Sequence, residues 1–124
     1  MTYCVDHALF PLQRDKEYFD KWRQCLRSLA SVPGTVIKIS GLGMRDWAWT
    51  PGSLRPWVLA CIETFGVERA FFGTNWPLDR LYSSYGDVLD AYASAIAEFT
   101  PDEQRDLFER NAERIFRLPA QARQ

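Results

Sequence analysis

The chain has 124 residues, 47% of them apolar, and a formal charge of −1, values that fit one ordinary domain with a real core and exclude a disordered segment. Arg and Lys are interleaved with Asp and Glu throughout, so no general field draws in nucleic acid or an anionic membrane surface. No stretch approaches the roughly 20 apolar residues of a membrane span, and the start carries no basic region followed by an apolar one, which makes a cytoplasmic location the expectation.

Thr2 to Asp6 is the first short β-branched or apolar run and reads as a strand. From Asp15 to Ala30, Phe19, Trp22, Leu26 and Leu29 recur at helical spacing while Lys16, Glu17, Lys21 and Arg27 are left for water, the pattern of an amphipathic helix closed by Pro33-Gly34. Thr35 to Ser40 reads as the second strand. A glycine- and tryptophan-rich loop, Gly41 to Gly52, follows it, and Ser53 is placed to cap the next helix, whose stripe is Leu54, Trp57, Val58, Cys61 and Phe65 and whose end is Gly66.

Arg69 to Thr74 reads as the third strand, and the loop Asn75 to Ser84 leads from it to a helix with Val88, Tyr92, Ile96 and Phe99 on one face. Thr100-Pro101-Asp102-Glu103 is a helix start with a capping box, and Leu107, Ala112, Ile115 and Phe116 turn the last helix inward. Residues 119–124 read as a frayed tail. Cys4, Cys25 and Cys61 are too few and too scattered for a disulfide framework or a close zinc-binding pair, and are expected as reduced, buried thiols.

Strands separated by helices at this spacing predict parallel pairing with right-handed crossovers. Three parallel strands alone leave two edges open and one face poorly covered. A complete β/α barrel takes roughly 250 residues, so the fold expected is α/β: about the C-terminal half of a TIM barrel over residues 1–118, with the remainder a tail.

Parallel strands put their C-terminal ends on one face, and barrel enzymes place their chemistry there. His7, the only histidine, follows the first strand; it suits a metal ligand or a donor to a polarised carbonyl, or else is a loop histidine without a role. Asn75 suits a hydrogen-bond donor to substrate or an Asx-turn residue, with Trp76-Pro77 setting the direction of its neighbours. Asp79 could supply a carboxylate, although an exposed, salt-bridged loop aspartate is the plainer expectation. Lys38 faces opposite to Ile37 and Ile39, inward in a barrel or as a protective charge on an edge strand. In the loop Gly41 to Trp49, Arg45 could take a carboxylate and Trp49 could form a wall, with packing of the indoles onto the rim as the alternative.

Val5-Asp6-His7-Ala8, Val36-Ile37-Lys38-Ile39-Ser40-Gly41-Leu42, Phe65 to Pro77 and Asn111 to Leu118 lie in an order that resembles the amidohydrolase-2 family of metal-dependent decarboxylases, hydrolases and lactonases, over Tyr3 to Leu118. The resemblance implies a barrel with a zinc-like divalent metal, early strands bringing a His-x-His pair, His7 as the middle-strand histidine and metal ligand, and an acid on the last strand. Asn75 stands at that acid position, followed by Trp76-Pro77 and then Asp79, and the His-x-His segment is not in the chain. This departure points away from a zinc deaminase and toward a lactonase-like hydrolase of a small lactone or carboxylated cyclic substrate. His7, Asn75 and Asp79 would be its catalytic residues, and Arg45, Trp49 and Trp76 its substrate contacts. The alternative is a truncated or split half-barrel that is inactive alone, pairs with a second copy or with a missing N-terminal half, or only binds ligand.

Overall fold

In the computed structural model, which describes residues 1–119, Tyr3–Val5 (β1), Thr35–Ile39 (β2) and Ala70–Phe72 (β3) form one sheet in the order β1-β2-β3. Both pairings are parallel, with Val5 opposite Ile37 and Ile39 opposite Phe72. Helices Lys16–Ala30 (α1) and Pro51–Phe65 (α2) make the two crossovers, and Tyr85–Ala95 (α3) follows β3. The last helical stretch is Pro101–Arg105 (α4) and Asn111–Phe116 (α5), joined by a π-helical turn over Asp106–Arg110.

Period-2 alternation decides which sheet face meets the helices. Ile37, Ile39 and Ala70 are fully buried and Val5 and Phe72 pack beside them, so this face carries the core with Leu26, Val58, Cys61, Ile96 and Leu107. Cys4, Val36, Lys38 and Phe71 occupy the opposite face, as the register Cys4–Val36 and Lys38–Phe71 requires. Lys38 thus faces away from the core, and because β2 is the central strand, it is no edge charge.

The helix signals act locally as the residue types dictate. Asp15 caps α1 by accepting from the Tyr18 amide, and Phe19, Trp22 and Trp57 form an edge-to-face cluster, 4.7 Å between the Trp22 and Trp57 ring centres, that ties α1 to α2. Thr100 and Glu103 form the expected capping box.

Four expectations need correction. The second helix starts at Pro51 and its cap is Thr50; Ser53 is the third helical residue and bonds back to the Thr50 amide, because proline fits the first turn without an amide proton. All three cysteines are free, but Cys4 and Cys25 are exposed, since Cys4 lies on the uncovered sheet face and Cys25 on the outer side of α1; only Cys61 is buried. Phe116 is 53% exposed, touching Phe71 only edge-on, because the π turn rotates α5 away from the core. Ile96 ends α3 rather than continuing it, and Phe99 lies beyond the helix. Of the tail, residues 120–124 lie outside the described residues.

Candidate active site

Each strand leaves the sheet at its C-terminal end through a left-handed residue: His7 (φ 49°) after β1, Gly41 (φ 65°) after β2 and Asn75 (φ 54°) after β3. Parallel pairing puts the three on one rim. Glycine adopts this region freely and asparagine tolerates it, but histidine does not prefer it. The strain after β1 is larger still, because Ala8, Leu9 and Phe10 share the conformation with φ of 53°, 59° and 43°. Burial of Ala8 and the bond from the Trp22 indole to its carbonyl, 2.9 Å, hold this turn in place. Backbone strain of this kind collects at sites whose geometry serves a function.

His7 is clasped from both sides. Its Nδ1 lies 2.9 Å from Ser40 Oγ, and its Nε2 lies 3.4 Å from Asp6 Oδ2. Lys38 Nζ stands 3.7 Å from the other Asp6 oxygen. Two glycines make the room: a Cβ on Gly41 would fall 2.8 Å from His7 Nδ1, and one on Gly73 would fall 2.7 Å from Lys38 Cε.

Across the rim, Asn75 donates from Nδ2 to Asp79 Oδ1 at 2.8 Å. Asp79 is only 2% exposed, which overturns the expectation of an exposed, ion-paired loop aspartate. Asp79 lies in the 3-10 turn Leu78–Leu81, where its amide donates to the Asn75 carbonyl and its side chain is buried. Burial pushes the Asp79 carboxyl above its ordinary value, while the bond from Asn75 and the charge of His7 pull the other way. The Tyr92 hydroxyl donates to the Gly73 carbonyl at 3.0 Å and fixes the start of the same loop, and burial beside Asp79 drives the phenol upward as well.

The remaining residues singled out from the sequence lie farther out. Arg45 is exposed and lines a cleft of about 480 Å³ with Leu12, Met44, Asp46, Trp47 and Ala48, a cleft that does not include His7, Asn75 or Asp79. Trp49 is half-buried against the core, and Trp47 stacks on Tyr82 with ring centres 5.9 Å apart. Trp76 is 38% exposed on the rim, edge-on to Tyr85. The structure thus joins Asn75 to Asp79 and brings His7 within reach of their charge, and leaves Arg45 apart from them.

Ser40 is the partner to which sequence reasoning assigned no role; Asp6 follows the first strand beside His7, and Lys38 is expected to face inward in a barrel. A signal was there: Ser40 lies two positions past Lys38 and Asp6 two past Cys4, so continuing the strand alternation sends all of them to the face away from the core.

The family model for amidohydrolases matches residues 1–118. The chain belongs to the amidohydrolase family. It is 31% identical over 130 residues to an L-fucono-1,5-lactonase of Burkholderia multivorans, covering 95% of this chain and 44% of that protein. It is 42% identical over 101 residues to an uncharacterised protein of Sinorhizobium fredii, covering 82% and 34%. A crystal structure of an amidohydrolase from Burkholderia multivorans with bound zinc superposes with a TM-score of 0.86 at 30% identity, over 95% of this chain and 44% of that one. The chain therefore spans about a third to a little under half the length of these relatives, and its three strands are part of a TIM barrel.

Zinc in that relative raises the question of whether these residues hold a metal. Among the described residues no three His, Cys, Asp or Glu side chains gather into a group able to do so. Both ring nitrogens of His7 already face oxygen partners. The donor set on this chain does not fit a metal ion by itself, and the chemistry below is built on the chain's own groups.

Proposed function

We propose that this amidohydrolase-family chain is the C-terminal part of a hydrolase that opens a small lactone, or a related carboxylated cyclic substrate, and that the missing part of its barrel comes from an N-terminal half. The observation that carries this reading is that His7 and the bonded Asn75–Asp79 pair follow neighbouring parallel strands onto one rim, with the His7 charge acting on the Asp79 carboxyl. Lactonase-named relatives at about 31% identity favour a cyclic ester over other family substrates.

In this reading the His7 ring polarises the lactone carbonyl. Asn75 and Asp79 position the attacking water, and Asp79, raised by burial, is the better proton acceptor for it. Water adds to the carbonyl carbon and its proton passes to Asp79; the ring C–O bond then breaks, and the leaving ring oxygen takes that proton back from Asp79, releasing a hydroxy acid and restoring the carboxylate. Trp76 on the rim would meet the substrate ring. Arg45 and Trp49 would take part only if the Gly41–Trp49 loop closes over a substrate carboxylate. A metal joining His7 would need further ligands from the other half. We assign small-molecule substrates rather than nucleic acid or membrane as partners, in keeping with the balanced charge and with no helix among the described residues being long and apolar enough to cross a membrane. A cytoplasmic setting suits three free thiols.

The test is to join the chain to the N-terminal portion of the Burkholderia multivorans lactonase and follow proton release from sugar 1,5-lactones. His7→Ala and Asp79→Ala should each lower kcat by about 100-fold or more, the range for a lost acid–base or polarising group. Hydrolysis that persists unchanged in His7→Ala would remove the proposed role.

A further inference from the structure

A neutral imidazole has one N–H and one lone pair, and the neighbours of His7 admit only one assignment. Asp6 is acceptor-only when ionised, so a lone pair on Nε2 turned toward its Oδ2, 3.4 Å away, would be repelled. Ser40 can donate or accept, because its hydroxyl rotates. The arrangement without conflict has the Nε2–H turned toward the Asp6 carboxylate, an electrostatic contact at 3.4 Å, and the Ser40 hydroxyl donating to Nδ1 over 2.9 Å. Lys38 Nζ stands 3.7 Å from the other Asp6 oxygen, Oδ1.

We propose that Ser40 and Asp6 lock His7 in the Nε2–H tautomer and are positioning residues for it, so that His7 presents a hydrogen-bond donor to the rim while its Nδ1 lone pair is engaged in the interior. Burial divides the two partners in the same sense. Ser40 is fully buried and stays where it is, whereas the Asp6 side chain is 58% exposed and only loosely in contact, free to yield Nε2–H to a substrate carbonyl oxygen. Gly41 belongs to the device, since any side chain there would crowd Nδ1 and break the Ser40 bond. The inference deepens the reading of His7 as the carbonyl-polarising group and rests on it for its functional meaning. It also accounts for the strained turn after β1, which aims the ring at Ser40 rather than outward.

Because the chain has a single histidine, long-range proton–nitrogen NMR of the ¹⁵N-labelled chain reads this ring without assignment ambiguity. Spectra are taken in the neutral form, reached by raising pH until the ring signals stop moving. The wild-type chain should show the Nε2–H pattern with an Nδ1 shift typical of an acceptor. Asp6→Ala, at an exposed position, should lower the tautomer ratio severalfold, because the carboxylate that disfavours a lone pair on Nε2 is gone. Ser40→Ala should move the Nδ1 shift toward that of a free imidazole.

A dominant Nδ1–H tautomer in the wild type would overturn the proposal, as would a ratio unchanged in Asp6→Ala with a native amide spectrum. If Ser40→Ala fails to fold, Asp6→Ala decides alone. The measurement needs no substrate, so a chain that holds the tautomer but hydrolyses no lactone would refute the activity reading separately.

Discussion

The Asn75–Asp79 pair lends itself to a quantitative test, because Asn75 does two things that different substitutions separate. Its amide supplies the one side-chain hydrogen bond to the buried Asp79 carboxylate, and its backbone sits at φ 54°. Asn75→Gly removes the amide and leaves the backbone content. A lost hydrogen bond to a charged group costs about 1.5–3 kcal/mol, reduced by any water that reaches the carboxylate. Asn75→Ala removes the same bond and also replaces a residue that tolerates the left-handed region with one that does not, a further ~1 kcal/mol. At neutral pH the Gly variant should therefore lose about 2 kcal/mol and the Ala variant roughly 1 kcal/mol more.

The pH dependence follows from the direction of the Asp79 shift. Its folded-state carboxyl lies above the ordinary value, so it contributes stability that is fully present below the unfolded pKa and lost as pH rises through the folded pKa. Removing the Asn75 donor, which favours the ionised form, raises the folded value further. The cost of Asn75→Gly should thus be small in acid, where the carboxyl is protonated in both states, and grow to its full size as pH rises past the shifted value. Urea unfolding followed by tryptophan fluorescence across a pH series from acid to neutral follows the change. A cost below about 0.5 kcal/mol at pH 7, or one that does not change with pH, would refute the claim that Asp79 is buried as an ion held by this amide.

Other expectations can be checked alongside. Asn111 is fully buried and its amide donates to the carbonyls of Val67 (2.5 Å) and Ala70 (2.8 Å), closing the end of β3; Asn111→Ala strands both and should cost about 2–4 kcal/mol in the same urea assay. Gly41→Ala must place a methyl 2.8 Å from His7 Nδ1 at φ 65°, and should both destabilise the chain by about 2 kcal/mol or more and displace the single histidine's ring signals. Thiol titration of the native chain should give rapid reaction at exposed Cys4 and Cys25, with Cys61, whose thiol burial pushes upward, reacting only in denaturant.

What could be read from the sequence was whatever repeats with a period or acts over three or four residues. β-branched runs separated by amphipathic helices named the parallel sheet, and Thr100 with Glu103 named a capping box, because each signal lies within one element. The site was legible only at its anchors. His7 and Asn75 follow strand ends, so parallel pairing alone places them on one rim. Asp79 was misjudged because its burial depends on the 3-10 turn Leu78–Leu81 and on the bond from Asn75, and a charged residue in a loop past a strand reads as solvated by default. Ser40 escaped notice for the opposite reason: a hydroxyl at the end of a strand becomes informative only when its partner is known, and that partner, His7, is 33 residues away. Local periodicity therefore fixes which side chains reach the rim, whereas the proton arrangement among them depends on the left-handed exits at His7, Gly41 and Asn75. Of these the glycine, and to a lesser degree the asparagine, advertise their conformation by residue type. A substitution that restores an ordinary right-handed exit after β1 should accordingly leave the sheet intact and separate His7 from Ser40.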